Sequence, residues 1–107
     1  MISTHILDTS LGNPAAQVPV VLEKKSGTSW SVLANEKTNN DGRIVFATAA
    51  EAGIYRLTFQ VEDYFKKNNL QPFFLDAPVT FHITDTHRKY HIPLLLNPFG
   101  YSTYRGS

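Results

Sequence analysis

No cysteine occurs among the 107 residues. The chain therefore has no disulfide framework, no thiol nucleophile and no thiolate metal site. An excess of either charge is also missing, since ten Lys and Arg against nine Asp and Glu leave a formal net charge of +1. Acids and bases are mixed along the chain, which argues against a nucleic-acid partner and against electrostatic attachment to a membrane. No apolar run approaches the roughly 20 residues of a membrane span. The opening MISTHILDTS lacks the basic and long apolar regions of a secretory leader. The expected compartment is the cytoplasm, or the periplasm for a chain from which a leader has been removed. The G-x-S-x-G elbow, the P-loop and the dinucleotide fingerprint are missing too, as are internal repeats and low-complexity tracts. What remains is a single domain, 1–107, large enough to bury a core without staples.

The residues present read mostly as strands. ISTHILD (2–8) is short and β-rich, and VPVVLEKK (18–25) alternates Val18, Val20 and Leu22 against Pro19, Val21 and Glu23. SWSVLANEKT (29–38) sets Trp30 and Val32 on one face. RIVFAT (43–48) follows Asp41-Gly42, a strong tight-turn signal. IYRLTFQV (54–61) turns Tyr55, Leu57, Phe59 and Val61 inward. VTFHIT (79–84) does so with Val79, Phe81 and Ile83, and KYHIPLLL (89–96) with Tyr90, Ile92, Leu94 and Leu96. One segment, VEDYFKKNNL (61–70), changes period: Val61, Tyr64 and Phe65 share a helical face, which predicts a helix of about two turns ending at Asn68-Asn69. Seven or eight short strands with frequent turns predict an antiparallel all-β sandwich.

Candidate chemistry rests on few residues. His5 lies inside the first strand, where a half-buried histidine bonded to a neighbour is the ordinary reading. His91 is on the face opposite Tyr90, Ile92 and Leu94, and so points out of the sandwich. His82 has no telling context, and His87 sits in the polar turn TDTHRK. His87 and His91 are four apart, but the flanking turn and proline deny them a shared helix face, so no metal site is expected. Glu62-Asp63 are explained by the start of the helix. Arg43 follows the Asp41-Gly42 turn at a strand mouth, where the loops of sandwiches cluster and function collects.

STHILD near the start, TNNDGR in the middle and YHIPLLLNPFGYSTYRGS at the end closely resemble the 5-hydroxyisourate hydrolases, the transthyretin-like enzymes of urate breakdown. GNPAAQVPVVLEKK and DYFKKNNLQPFF extend the resemblance over the whole chain. Its most specific part is Tyr104-Arg105-Gly106-Ser107. The resemblance implies a transthyretin-like sandwich of two four-stranded sheets with one short helix, assembled as a homotetramer. It implies a cyclic amide hydrolase that converts 5-hydroxyisourate to 2-oxo-4-hydroxy-4-carboxy-5-ureidoimidazoline without metal or organic cofactor. By position it makes His5, Arg43, His91 and Ser107 catalytic, and has His5, Arg43 and Tyr104 bind substrate. Tyr104 to Ser107 then form a lid over the site, with Arg105 expected to pin it to a carboxylate and Gly106 to let it bend.

The chemistry suits that set. Opening a ring amide with water needs a base, donors for the developing oxyanion and a proton for the departing nitrogen. Histidine exchanges protons near neutral pH, and arginine offers a planar fork of donors to an oxygen-rich ring. Two rivals belong to other classes. A carrier of hydrophobic small molecules would want an apolar channel in place of two histidines and an arginine. A purely structural sandwich would tolerate loss of the last four residues.

Overall fold

A computed structural model describes all 107 residues. The chain forms nine strands: β1 (Ile2–Asp8), β2 (Asn13–Pro14), β3 (Pro19–Ser26), β4 (Ser29–Lys37), β5 (Arg43–Phe46), β6 (Gly53–Gln60), β7 (Asp76–Ile83), β8 (Tyr90–Asn97) and β9 (Gly100–Thr103). The one helix, α1 (Glu62–Lys67), joins β6 to β7. One sheet has the order β4-β3-β6-β7 and is antiparallel throughout. In the other, β8 lies between β1 and β9, while β5 and β2 share the far edge of β1 end to end. The chain is thus a two-layer sandwich. No helix is long and apolar enough to cross a membrane.

Two features depart from a simple antiparallel reading. β1 and β8 are parallel, in register from Ile2↔Tyr90 to Asp8↔Leu96. Parallel neighbours need a long crossover, and here the whole second sheet provides it. The Asp41-Gly42 turn forms, but it closes no hairpin. β4 before it and β5 after it belong to different sheets, so the turn carries the chain from one layer to the other. A turn signature specifies a reversal and leaves the partner open.

The expected inward faces are the observed ones. Tyr55, Leu57 and Phe59 of β6 meet Ile2, Ile6 and Leu94 of the opposite layer in one continuous core. Val61 and Phe65 bury the inner side of α1, and Tyr64 packs against the same core. The helix ends where expected, as the chain turns away at Asn68 and Asn69, the latter left-handed at φ 59°.

Asp8, at the end of β1, ties these parts together. Its carboxylate is fully buried and accepts bonds from the Ser10 N–H (2.9 Å) and hydroxyl (2.5 Å), the Leu11 N–H (3.2 Å) and the Tyr64 hydroxyl (2.7 Å). Burial pushes its pKa up, but the donors from Ser10, Tyr64 and Leu11 outweigh burial and leave it below the ordinary value. The Tyr64 hydroxyl is raised in turn, by burial and by that carboxylate. A carboxylate with a depressed pKa contributes stability above its unfolded pKa, and that stability is lost as pH falls through the folded value. Asp8→Ala should therefore cost about 1.5–3 kcal/mol at neutral pH, the usual worth of bonds to a charged group. In urea unfolding at neutral pH and at successively lower pH, the gap between variant and parent should close on the acid side.

Candidate active site

The pleat of β1 buries Ile2, Thr4, Ile6 and Asp8 and turns Ser3, His5 and Leu7 outward. β8 buries Tyr90, Ile92 and Leu94 and turns His91 outward. The parallel register sets Ser3 beside His91 and His5 beside Pro93. Across the other edge of β1, the antiparallel register sets Arg43 opposite His5. Adjacent strands thus bring His5, Arg43 and His91 onto one outward face.

Arg43 reaches that face through the turn before it. The side-chain oxygen of Asn39 accepts from the N–H groups of Asp41 (2.9 Å) and Arg43 (3.0 Å). The Gly42 N–H donates to the Asn39 carbonyl at 2.9 Å. Gly42 has φ 72°, and a Cβ there would lie 2.6 Å from the Ile6 carbonyl oxygen. Its own carbonyl accepts from the Ile6 N–H at 2.8 Å. Both the backbone conformation and the close approach to β1 demand glycine, and together they fix the residue that follows it against His5.

The His91 ring is held on two sides. Its Nδ1 lies 2.8 Å from the Ser3 hydroxyl. On the other side the chain beyond β9 returns to β8, where Gly106 bridges His91 and its N–H donates to the His91 carbonyl at 2.8 Å. A Cβ on Gly106 would stand 2.7 Å from His91 Cδ2 and 3.3 Å from Cγ. Gly106 is therefore required for space beside the imidazole, which differs from the bending role expected of it.

Burial and a neighbouring charge bias both histidines toward the neutral form. Burial and then the Arg43 guanidinium hold His5 below the ordinary 6.5, against a weaker upward pull from the carbonyl and carboxylate of Asp41. His91 is lowered by burial, by Arg43 and by His5. An uncharged imidazole can accept a proton, so this face offers two potential bases beside one fixed cation.

The terminal motif is part of the sheet. β9 pairs with β8 from Leu94↔Thr103 to Asn97↔Gly100, and the Gly106 bridge continues that pairing past Tyr104 and Arg105. The segment expected to form a lid thus continues the line of β9 and is tied to β8 at Gly106. Tyr104 is exposed and lines a cleft of about 320 Å³ together with His91, Tyr90, Arg88, Arg105 and Phe81. Arg105 forms no ion pair: the three in the chain are Lys24–Glu51, Arg56–Glu23 and Lys66–Glu62. The Gly106 bridge anchors this segment in place of the expected carboxylate. Ser107 follows Gly106 and is exposed. His5 and Arg43 do not line that cleft, and the face carrying them is open in a single chain.

His82 is exposed on β7, in the other sheet, and His87 lies in the turn before β8, its N–H bonded to Asp85. No three His, Asp or Glu side chains gather closely enough to hold a metal ion. The roles of three contributors could not be read from the sequence. Ser3 shares the outward period of His5, but its neighbour depends on the parallel pairing. Asn39 and Gly106 act through contacts with segments distant in sequence or across the turn.

The HIUase/Transthyretin family model matches residues 2–106. A 5-hydroxyisourate hydrolase of Salmonella typhimurium is 47% identical over 110 residues, covering all of this chain and 81% of that protein. The structure of Klebsiella pneumoniae 5-hydroxyisourate hydrolase superposes with a TM-score of 0.87 at 41% identity, over 99% of this chain and 98% of that one. Sea bream transthyretin in complex with thyroxine superposes with a TM-score of 0.91 at 31% identity, over 98% and 93% of the two chains.

Because Arg43 lowers the pKa of both imidazoles, Arg43→Gln should raise both. The expected result in an NMR titration of the histidine ring signals is an upward move of the His5 and His91 midpoints.

Proposed function

The chain belongs to the HIUase/Transthyretin family, and from that premise we propose that it hydrolyses 5-hydroxyisourate in purine degradation. The observation that carries the reading is the outward face on which Arg43, His5 and His91 stand on three adjacent strands, with both imidazoles biased toward neutrality. In the product named by the resemblance, 2-oxo-4-hydroxy-4-carboxy-5-ureidoimidazoline, a ring carbonyl has become a carboxyl and its former nitrogen partner belongs to a ureido group. Water must therefore add to that carbonyl and the carbon–nitrogen bond must break.

The side chains suit each part of that change. A neutral imidazole takes a proton from water as the oxygen adds to the carbonyl carbon. The Arg43 guanidinium donates to substrate oxygens and faces the charge that develops on the carbonyl oxygen. The imidazolium then returns a proton to the departing nitrogen. Tyr104, exposed beside His91, is assigned to substrate binding, and Ser107, next to the Gly106 bridge, to orienting water or substrate. No side chain needs to form a covalent intermediate.

Assembly belongs to the same reading. The face with His5 and Arg43 is open, and water would compete there for every donor. A second copy packed against it would turn that face into a cleft of the sort that binds small ligands. A homotetramer is the proposed assembly, and light scattering at micromolar concentration should report four chains per particle.

The direct test follows the ultraviolet absorbance of freshly made 5-hydroxyisourate, which should decay faster with the protein than without it. His5→Ala and His91→Ala should each lower turnover by roughly 10² or more, the usual contribution of an acid–base group. The rate should be level above pH 6.5 and fall as pH drops through the lowered histidine values, because protonation removes the base. Arg43→Lys keeps the charge without the planar fork, and its kcat/KM should lie closer to that of Arg43→Ala than to the parent. Deleting residues 104–107 should leave β9 intact and abolish turnover. A truncated protein as fast as the parent would remove Tyr104 and Ser107 from the site.

A further inference from the structure

We propose that Ser3 is the positioning residue of His91: its hydroxyl keeps the imidazole proton on Nδ1 and so presents Nε2 as the nitrogen that takes the proton from water. This rests on the reading of His91 as an acid–base group of the hydrolase.

The geometry leaves little freedom to the ring. Ser3 and His91 are register partners on adjacent parallel strands and share the outward face. The Ser3 hydroxyl meets Nδ1 at 2.8 Å. Gly106 closes on Cδ2 and Cγ from the far side, with no room for even a methyl group. The ring is gripped at Nδ1 and along its Cγ–Cδ2 edge, and both holds come from backbone-anchored neighbours. Nε2 is left as the nitrogen able to meet water or substrate.

Tautomer follows from what happens after proton transfer. A serine hydroxyl is both donor and acceptor, so the bond alone fits either tautomer. Once Nε2 has gained a proton the ring is an imidazolium, and Nδ1 must also carry one. Ser3 must then accept. If Nδ1 is protonated from the outset, the same Ser3–Nδ1 bond serves before and after, and nothing at that bond reorganises during the reaction. Environments already arranged for the charge that develops are the ones that lower barriers. A hydroxyl also does this without the full negative charge of a carboxylate, so His91 is oriented without being made strongly basic. The proton taken at Nε2 leaves again to the departing ring nitrogen, and the balance closes without any change at Ser3.

The test compares the parent with Ser3→Ala, Ser3→Thr and His91→Ala. Nitrogen-15 NMR on histidine-labelled protein at about pH 8, above the ordinary imidazole pKa, reads the tautomer directly. The parent should show His91 protonated at Nδ1 and bare at Nε2. Ser3→Ala should shift His91 toward the Nε2–H form and lower kcat by roughly 10- to 100-fold, the scale of a misplaced catalytic group, with KM changed little. Ser3→Thr keeps the hydroxyl and should restore both the tautomer and most of the rate. A parent ring bare at Nδ1 overturns the proposal, as does a Ser3→Ala protein with unchanged tautomer and unchanged kcat while His91→Ala is slow. If His91→Ala is as fast as the parent, the acid–base reading of His91 fails, and with it the catalytic part of the proposal. The NMR arm still shows separately whether Ser3 sets the ring.

Discussion

The parallel pairing of β1 with β8 is the constraint on which both the core and the outward polar face depend. Its register puts Ser3 next to His91 and His5 next to Pro93. On the inward side the buried Thr4 hydroxyl donates to the Ile92 carbonyl at 2.6 Å, a bond between the same two strands. A slip of one residue would reverse which side chains face the core. It would bring Ser3 and His5 inside and push Ile2, Ile6 and Thr4 into water. The burial that stabilises the sandwich therefore also fixes the arrangement of polar groups outside it. Arg43 joins the arrangement only because Gly42 fits against the Ile6 carbonyl of that same strand.

Along β1, function and stability alternate residue by residue. Ser3 and His5 face outward, whereas Thr4 and Asp8 turn inward and are satisfied by protein partners. The two faces also treat charge differently. Inside, donors from Ser10, Leu11 and Tyr64 hold Asp8 ionised despite burial. Outside, partial burial and a neighbouring guanidinium lower the pKa of two imidazoles and bias them toward the neutral form. A short motif can thus look like a single signature in the sequence while its members answer to separate physical demands.

Strands with clean alternation, such as β6 and β8, were legible from period alone, and so were the outward aim of His91 and the helical face of Val61 and Phe65. β9 was not, because Gly100, Tyr101, Ser102 and Thr103 have no apolar alternation and only their pairing with β8 makes them a strand. The two-residue β2 is likewise defined by its partner. The parallel pairing lay beyond reach because nothing local distinguishes a parallel neighbour from an antiparallel one. The site followed the same division. His5, Arg43 and His91 were named from motifs and found on one face, while Ser3, and the contact of Gly106 with the His91 ring, came into view only with the register. Arg105 was expected to anchor the tail through charge. The anchor is a backbone bridge at the neighbouring glycine, and backbone hydrogen bonds leave no compositional trace.

Synthesis on the ribosome gives the register a cost in time. β1 can pair with β2 and then β5 as each emerges, but its other edge must wait for β8, whose residues lie 88 positions downstream of their partners. At about 5–20 residues per second the wait lasts several seconds. During it a strand with an apolar inner face carries an open row of backbone donors and acceptors, the kind of edge that recruits other chains. Polar Ser3 and His5 on its outer face make that exposed strand a poorer template for stacking than a fully apolar one. The residues assigned to chemistry thus also fall where a nascent chain has most need of them to stay single.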